Sequence, residues 1–256
     1  TTEGGYYDGD KIRFRQGTPE KIGGWTQIST STFEGVCRSL HNWVTLGGQN
    51  LIGVGTHLKF YISNVGNYND VTPIRATVSL SNPFTTVSGS AVITVLDSNG
   101  GYQDGDYVTF SNASAVGGLT IDGEFVVSLS VTTAANSYSI TASSNATSSA
   151  TGGGTVSAAY QINVGNPFAV PIEGWGASSW GSGAWNVGES STTAIRFFSQ
   201  SNFGEDLIFG NNGGSIFYWD ATGSVTTRAV LLSTLSGASD VPVVQNLILV
   251  SDISRF

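Results

Sequence analysis

The side chains able to act as nucleophiles or metal ligands are few. Cys37 is the only cysteine, and the only two histidines, His41 and His57, follow it. A Cys–His nucleophile pair needs hydrogen-bond reach and a third group that orients the histidine. Cys37 is predicted to lie in a strand, where a spacing of four residues puts side chains on one face but roughly 13 Å apart. The spacing argues against a catalytic pair, and these residues lack the ligand pattern of a structural zinc site.

Two Asp-Gly-Asp triplets resemble the start of a calcium-binding loop. They are Asp8–Asp10 and Asp104–Asp106. Neither is followed by the further acidic ligands and the distal glutamate that such a loop uses. The sequence therefore predicts that both triplets form turns and that the chain holds no metal.

A pair of adjacent carboxylates, Glu205 and Asp206, has the residue types of a general acid and base. Its counterparts in two similar stretches are amides, Gln49-Asn50 and Gln245-Asn246. The three pairs share polarity rather than acidity, which indicates that the pair marks the start of a strand. No other constellation remains, so the sequence predicts no catalytic residue and no cofactor.

The chain of 256 residues is rich in glycine, with 34 Gly, and only 11% of its residues are charged. Average domains contain about 25% charged residues. This composition is typical of many short strands joined by turns, and no segment shows sustained apolar residues at helical spacing. The net charge of −8 argues against tight wrapping of nucleic acid, which needs clustered Lys and Arg. No apolar run reaches the roughly 18 residues of a membrane span.

One hairpin-like stretch recurs along the chain. The strands predicted over Leu207–Gly210 and Ser215–Trp219 are joined by Asn and Gly, which tolerate the positive φ of a tight turn. A first copy spans Trp43–Ile62, and a third begins at Gln245–Ile248 with the same four letters as Gln49–Ile52. The second and third copies are 40 residues apart. That step matches the about 40–50 residues of one four-stranded propeller blade.

The first two copies are 156 residues apart, too far for one blade. From Pro83 to Tyr160 there is no Lys or Arg, whereas five acidic residues remain. This stretch has its own predicted strands: Ala91–Leu96, Tyr107–Phe110, Glu124–Val131, Ser137–Thr141 and Thr155–Tyr160. The sequence therefore predicts an all-β protein of β-propeller blades, with a hairpin and first blade in residues 1–82 and further blades in 161–256. A small β-sandwich or barrel-like domain is predicted as an insert at 83–160.

Two further segments are candidate interfaces. Four of the ten basic residues lie in the first predicted hairpin: Lys11, Arg13, Arg15 and Lys21. They form either a solvated strand face or a contact with an acidic neighbour or a nucleic-acid backbone. A glycine-rich loop after the insert carries Trp175, Trp180 and Trp185. These rings are expected to pack on the chain's own blades, on a protein partner or on a sugar.

Several motifs resemble those of tail proteins from short-tailed bacteriophages. The similarity covers the hairpin from Lys11 to Trp25, the Gly174–Gly176 loop and the stretch Asn202–Asp220. The insert, with Gly105–Ser111, looks like a small β module found in phage virion proteins. On these motifs the chain resembles the family of the tail nozzle, also called tail tubular protein B or tail hub.

The resemblance implies a structural role. In that family β-propellers form a ring, typically a hexamer, below the portal and adaptor, and its channel holds the end of the packaged genome and conducts it at ejection. The implied partners are further copies of the chain, the adaptor or head-to-tail connector, tail fibre proteins and, transiently, viral DNA. The implied location is the tail of the virion, which is assembled in the host cytoplasm. The motifs carry no catalytic residues, so the chain is not expected to be an enzyme.

The alternative interpretation is a receptor- or carbohydrate-binding propeller on a tail appendage. In that case Trp175, Trp180 and Trp185 would form a sugar-stacking platform. A propeller glycosidase is disfavoured because no credible acid pair is present. Members of the nozzle family are usually longer than this chain, so the resemblance places further blades beyond Phe256.

Overall fold

The computed structural model describes residues 9–24, 26–27, 29–99, 101–130, 135–164 and 197–251. All the strands in these ranges pair antiparallel, and the other regular element is one 3₁₀ turn, Leu232–Thr234. None of the described residues belong to a helix long and apolar enough to cross a membrane. The predicted all-β class is confirmed.

A short hairpin stands at the start of the described chain. β1 (Ile12–Arg15) pairs with β2 (Thr18–Lys21), and the two form a sheet of their own. Gln16 and Gly17 both have positive φ, 50° and 80°, which matches the twist of a two-residue hairpin loop. The predicted first hairpin is confirmed.

A four-stranded antiparallel sheet follows, with its strands in chain order; we call it the first meander. It consists of β3 (Cys37–Val44), β4 (Asn50–Thr56), β5 (Phe60–Asn64) and β6 (Asn67–Asp70). β4 and β5 are separated by a turn in which Thr56 Oγ1 accepts hydrogen bonds from the N–H groups of Leu58 and Lys59.

Eight strands in two sheets come next, and we call them the sandwich. They are β7 (Ile74–Ser81), β8 (Phe84–Thr86), β9 (Val92–Leu96), β10 (Tyr107–Ser111), β11 (Gly123–Val126), β12 (Ser137–Thr141), β13 (Ala150–Gly152) and β14 (Thr155–Gln161). One sheet has the order β11-β10-β14-β7 and the other β12-β9-β8-β13. The chain changes sheet after β7, β9, β11 and β13, and Asn82 N, after β7, donates to Gly154 O, before β14, at 2.7 Å.

The sandwich has its own apolar core between its sheets. The largest fully buried side chains there are Phe84, Ile93, Phe110, Ile121, Tyr138 and Ile140. A short series of hydrogen bonds crosses this core. The Tyr160 hydroxyl donates to Asp97 Oδ2 at 2.8 Å, and the hydroxyl oxygens of Tyr160 and Tyr138 lie 2.7 Å apart. Tyr138 must therefore be the donor to Tyr160, which leaves each of these buried hydroxyls with a partner. Burial raises the pKa of both tyrosines.

The ends of the sandwich lie side by side. β7 pairs with β14 from Ile74 opposite Gln161 to Ser81 opposite Thr155. The hydrogen-bonded unit thus begins nine residues before Pro83 and ends one residue after Tyr160. The limits predicted for the insert fall at the corner after β7 and within β14, and the division into domains stays a prediction.

A second four-stranded sheet in chain order, the second meander, follows the sandwich. Its strands are β15 (Phe198–Phe203), β16 (Asp206–Asn211), β17 (Phe217–Trp219) and β18 (Val230–Leu231). The two hairpin strands predicted for this copy of the repeat are β16 and β17, and β17 begins two residues after the predicted Ser215.

The third copy of the repeat is not a strand. Gln245 forms one isolated bridge with Gly214. Beyond it, Ile248 N donates to Ser199 Oγ at 2.8 Å and Val250 N donates to Ser201 Oγ at 3.2 Å. Side chains of β15 thus take the place of the backbone partners that a strand needs. The expectation of a third blade strand here is corrected to an extended segment held against the second meander.

The two meanders pack on each other through aromatic rings. Phe60 stacks on Phe209 with 3.8 Å between ring centroids and 8° between ring planes. Trp43 meets Trp219 edge to face at 6.3 Å. Aliphatic and aromatic side chains complete this shared core: Leu51, Ile62, Val71, Phe198, Leu207 and Phe217. At its rim His41 Nε2 and Asn202 Oδ1 lie 2.5 Å apart, and Trp43 Nε1 donates to Glu205 O at 2.9 Å.

Gly55 lies where β4 of the first meander comes close to β15 of the second. A Cβ at this position would stand 2.6 Å from Cδ2 of Phe198. The close approach of β15, rather than an unusual backbone angle, therefore requires glycine here.

We expect Gly55→Ala to lower the free energy of unfolding by about 1–3 kcal/mol, because the added methyl group must displace Phe198 in a packed core. Urea unfolding followed by tryptophan fluorescence measures this change. The matched control is Gly47→Ala, whose added Cβ would meet only Thr45 Oγ1 at 3.7 Å. That variant should stay within about 0.5 kcal/mol of the parent. Equal stabilities of the two variants would contradict the packing argument.

Candidate functional site

The cysteine and histidines each have a separate partner. The Cys37 thiol donates to Ser39 O, with 3.6 Å between sulfur and oxygen. His41 contacts Asn202 across the meanders, and His57 Nδ1 accepts from Val36 N at 2.9 Å. Burial raises the pKa of the Cys37 thiol, which disfavours the thiolate. Burial and the positive charge of Arg38 lower the pKa of His57.

The Glu205 and Asp206 carboxylates accept hydrogen bonds at the start of β16. Glu205 accepts from Leu46 N at 2.8 Å and so joins the turn of the first meander to the second. Asp206 accepts from Tyr218 OH at 2.5 Å and from Ala221 N at 2.9 Å. Burial, helped by the Asp206 carboxylate, raises the pKa of Tyr218. These contacts agree with the predicted architectural role of the pair.

The triplet Asp104–Asp106 forms a turn, with Gly105 at a φ of 81°. Asp104 accepts from Leu129 N at 2.8 Å. Asp106 is buried and bonds Arg75 at 2.5 Å and Gln103 N at 2.7 Å. The other triplet begins at Asp8, which lies outside the described residues.

A cluster of charges that the sequence did not reveal surrounds one buried lysine where the meanders and the sandwich meet. At its centre is Lys59 of the first meander, only 5% exposed. Its ammonium group bonds Glu124 of the sandwich and lies 3.4 Å from Glu34 and 3.5 Å from Asp70. The ring of Tyr107 stands below it, 4.5 Å from Nζ to the centroid. Five side chains from two folded units thus share one site.

Arg228 connects the second meander to the same cluster. Its guanidinium lies 3.3 Å from Asp70 and 3.8 Å from Glu124, and it donates to Thr72 O at 2.7 Å. Gln161 Nε2 donates to the second oxygen of Glu124. Three carboxylates thereby surround two cations, and the buried Lys59 ammonium has the pairing that a buried charge needs.

The electrostatics of the cluster favour its charged state. Burial alone would lower the pKa of Lys59, but the hydrogen bond to Glu124 and the charge of Asp70 outweigh it and raise the pKa. Burial and the Glu34 carboxylate raise the pKa of Tyr107 to about 12. Lys59 is therefore a permanent cation, unsuited to act as a nucleophile at neutral pH.

One feature of the sequence could have pointed to this cluster. The segment from Pro83 to Tyr160 has five carboxylates and no Lys or Arg. Carboxylates that lose water at a junction favour neighbouring cations, which had to come from outside this segment. Lys59, Arg75 and Arg228 supply them.

The basic residues predicted as an interface all lie in the β1–β2 hairpin. Arg13 and Glu20 face each other across the strands, with 3.3 Å between their charged groups. Lys11 lies 3.8 Å from Asp10, with both side chains in solvent. Arg15 and Lys21 are exposed as well. Trp175, Trp180 and Trp185 lie outside the described residues, so both interface assignments stay predictions.

Comparisons with known proteins give little further guidance. No protein-family model matches the sequence, and no curated protein matches it. Among solved structures the chain is similar to one described as phage phi92 endosialidase, at 17% sequence identity and a TM-score of 0.31. The match covers 83% of this chain and 32% of that one, so the chain spans about a third of that structure. A TM-score this low establishes neither a shared fold nor a shared activity.

We expect Lys59→Met to lower the free energy of unfolding by about 1–3 kcal/mol, because Asp70 and Glu124 would lose their buried cation while keeping Arg228. Urea unfolding at neutral pH measures this loss. The control is Lys11→Met, which removes an exposed cation and should change stability by less than about 0.5 kcal/mol. A Lys59→Met protein as stable as the parent would show that the cluster does not hold the parts together.

We expect the Cys37 thiol to react slowly with iodoacetamide in the folded protein. Its pKa is raised by burial, so at any given pH near neutrality the reactive thiolate is scarcer than in the unfolded chain. The rate plotted against pH should therefore rise at higher pH for the folded protein than for the same protein in urea. Because Cys37 is the only cysteine, mass spectrometry reports this site alone. Coincident curves would contradict the expected shift.

Proposed function

We propose that this chain builds part of a β-propeller in a bacteriophage tail, as a structural component of the nozzle type that guides the viral genome. The motifs that resemble the nozzle family suggested this role. The observation that carries the proposal is the way in which the two meanders stack.

The relative orientation of the two meanders can be deduced from their backbone hydrogen bonds. Each core-facing residue of a middle strand bonds either the preceding or the following strand of its own sheet. In the first meander Thr45 N donates to Gln49 O, so the alternate residues Leu51, Gly53 and Gly55 of β4 bond the preceding strand. In the second meander Asn212 N donates to Phe197 O, so Leu207 and Phe209 of β16 bond the following strand. Both sets face the shared core.

A side chain of an L-residue points to a fixed side of its own N–H and C=O groups. When each meander is viewed with its strands in chain order from left to right and its second strand running upward, the two meanders therefore bury opposite faces. Rotation about a common axis places the front of one sheet on the back of the next, as in successive propeller blades. A local two-fold axis would instead bury the same face of both sheets. The stacking supports the propeller interpretation.

The segment around Ile248 adds a third layer in the same order. Ser199 and Ser201, which bond it, are paired with Gly210 and Ile208 on the face of the second meander away from the first. The layers thus follow chain order: first meander, second meander, residues 245–250. Both outer faces carry exposed apolar side chains: Leu40, Val44 and Ile52 on one side, and Leu247 and Leu249 on the other. Further sheets on either side would cover them, as a closed propeller requires.

The charge of the chain fits a conduit. With a net charge of −8, an assembled ring would repel phosphate and let DNA slide rather than grip it. The carboxylates and the buried lysine described above are engaged in packing, which favours a structural rather than an enzymatic role. In this proposal the chain occurs in the virion tail, as a homo-oligomeric ring in contact with the adaptor and the tail fibres.

Electron cryomicroscopy of phage particles that contain this chain tests the proposal. The expected map shows four-stranded blades in a ring on the tail axis below the portal, with the sandwich attached to one blade. The same chain on peripheral fibres would overturn the nozzle assignment and favour the receptor-binding alternative. In that event a glycan array with the parent and Trp180→Ala would test the sugar platform.

A further inference from the structure

We propose that strand β7 of the sandwich pairs antiparallel with β7 of a second copy of this chain, about a two-fold axis at Ser79. The contact joins two sandwiches, so the inference does not rest on the proposed tail role, in which the blades build the ring. It rests on the open edge of β7, on the lack of features that protect an edge strand, and on the symmetry of its sequence pattern.

β7 forms one edge of its sheet. It is eight residues long, and among the described strands it pairs with β14 alone. Thr77, Ser79 and Ser81 are all exposed. An edge strand presents a row of backbone N–H and C=O groups that have no neighbouring strand, and such a row is a template for pairing with another chain.

The direction of these backbone groups follows from the register with β14. Asn82 N donates to Gly154 O, at the end of the ladder in which Leu80 lies opposite Val156. Hydrogen-bonded and non-hydrogen-bonded pairs alternate along an antiparallel ladder, so Leu80 also bonds β14. The alternate residues point their N–H and C=O groups to the open edge: Thr77, Ser79 and Ser81.

The features that protect edge strands are absent from most of β7. From Ala76 to Ser81 the strand has no proline and no charged residue, and the irregularity in its register with β14 falls at Arg75. The Arg75 guanidinium is engaged with the buried carboxylate of Asp106. Natural proteins block exposed edges with charges, prolines or bulges, so an edge without them is one that a partner covers.

The sequence pattern of β7 is symmetric about Ser79. When two copies pair antiparallel at this residue, Thr77 lies opposite Ser81 and Val78 lies opposite Leu80. Hydroxyl side chains then meet on the outer face of the sheet, and apolar side chains meet on the face that carries the core. The strand therefore fits a second copy of itself, and two four-stranded sheets become one continuous sheet.

The same contact covers apolar surface at the margin of the sandwich core. Val78 packs against that core but is only partly buried, and Ala76 on the same face is exposed. Across the new contact these residues form non-hydrogen-bonded pairs, in which side chains approach most closely. Pairing thus removes apolar surface from water as well as satisfying the backbone groups.

Sedimentation velocity over a range of protein concentrations tests the contact. The parent chain of 26.6 kDa should sediment as a dimer at high concentration. Ser79→Lys should raise the Kd at least about tenfold, because two like charges would lie directly opposite each other. The matched control is Thr141→Lys, which adds the same charge at an exposed position of β12 in the other sheet and should dimerise like the parent.

A charge swap tests the two-fold axis. Ser79→Glu alone should be as monomeric as Ser79→Lys, for the same reason. An equal mixture of the two variants should form heterodimers, since residue 79 of one copy then faces the opposite charge on the other. Recovery only in the mixture shows that this residue faces its own counterpart.

A proline variant tests the backbone bonds. The Ser79 N–H points away from β14, so Ser79→Pro removes a donor from the open edge and leaves the β7–β14 bonds in place. This variant should be monomeric. Ser79→Lys serves as the second variant: because it changes an exposed side chain, its melting temperature should stay within about 2 °C of the parent's.

Several outcomes would overturn the proposal. These are a parent that stays monomeric at every concentration, a Ser79→Lys variant that dimerises as well as the parent, and a mixture that fails to restore the dimer. Loss of the dimer in Thr141→Lys would trace the effect to overall charge and would also count against β7. Larger oligomers that no change at residue 79 affects would assign the association to another surface.

Discussion

One buried ammonium group links the separately packed parts of this protein. Lys59 of the first meander lies against Glu124 of the sandwich, and Arg228, in the loop between β17 and β18 of the second meander, approaches the same carboxylates. The sandwich core and the core between the meanders share no residue, although Val71 and Val164, which flank the sandwich in the chain, are buried in the latter. The side chains of the sandwich itself therefore need another fixed point on the meanders. Because a buried charge is stable only when it is paired, the charges provide that fixed point. They specify one arrangement at the junction, where apolar contact alone would permit several.

Aromatic stacking and hydrogen bonds contribute differently to the interface between the two meanders. Aromatic stacking between Phe60 and Phe209 brings the meanders together over a broad surface without fixing a single register. Directional bonds at the edge, from Trp43 to Glu205 O and from Gln200 to Ser39, then select the register. Gly55 makes this approach possible, since a larger residue there would hold the sheets apart.

Much of the local structure could be predicted from the sequence, because it depends on neighbouring residues. Strand β12 begins and ends at the predicted residues, and β10 and β14 each extend one residue further than predicted. The repeat located both meanders through their middle strands. It did not identify structurally equivalent positions: it aligns Leu51 with Leu207, yet these two residues bond different neighbours in their sheets. The Lys59 cluster was missed because its members lie far apart in the chain, and a lysine within a strand pattern is ordinarily a surface residue.

The pairing of β7 with β14 has a mechanical consequence. Both strands enter the sandwich from the same end, where Ile74 lies opposite Gln161. A force that pulls the flanking segments apart acts across this pair and opens its backbone bonds one after another, like a zipper. The same number of bonds loaded along the strand axis would have to break together. The sandwich therefore opens more readily when its two ends are pulled apart than when β7 and β14 are loaded along their length.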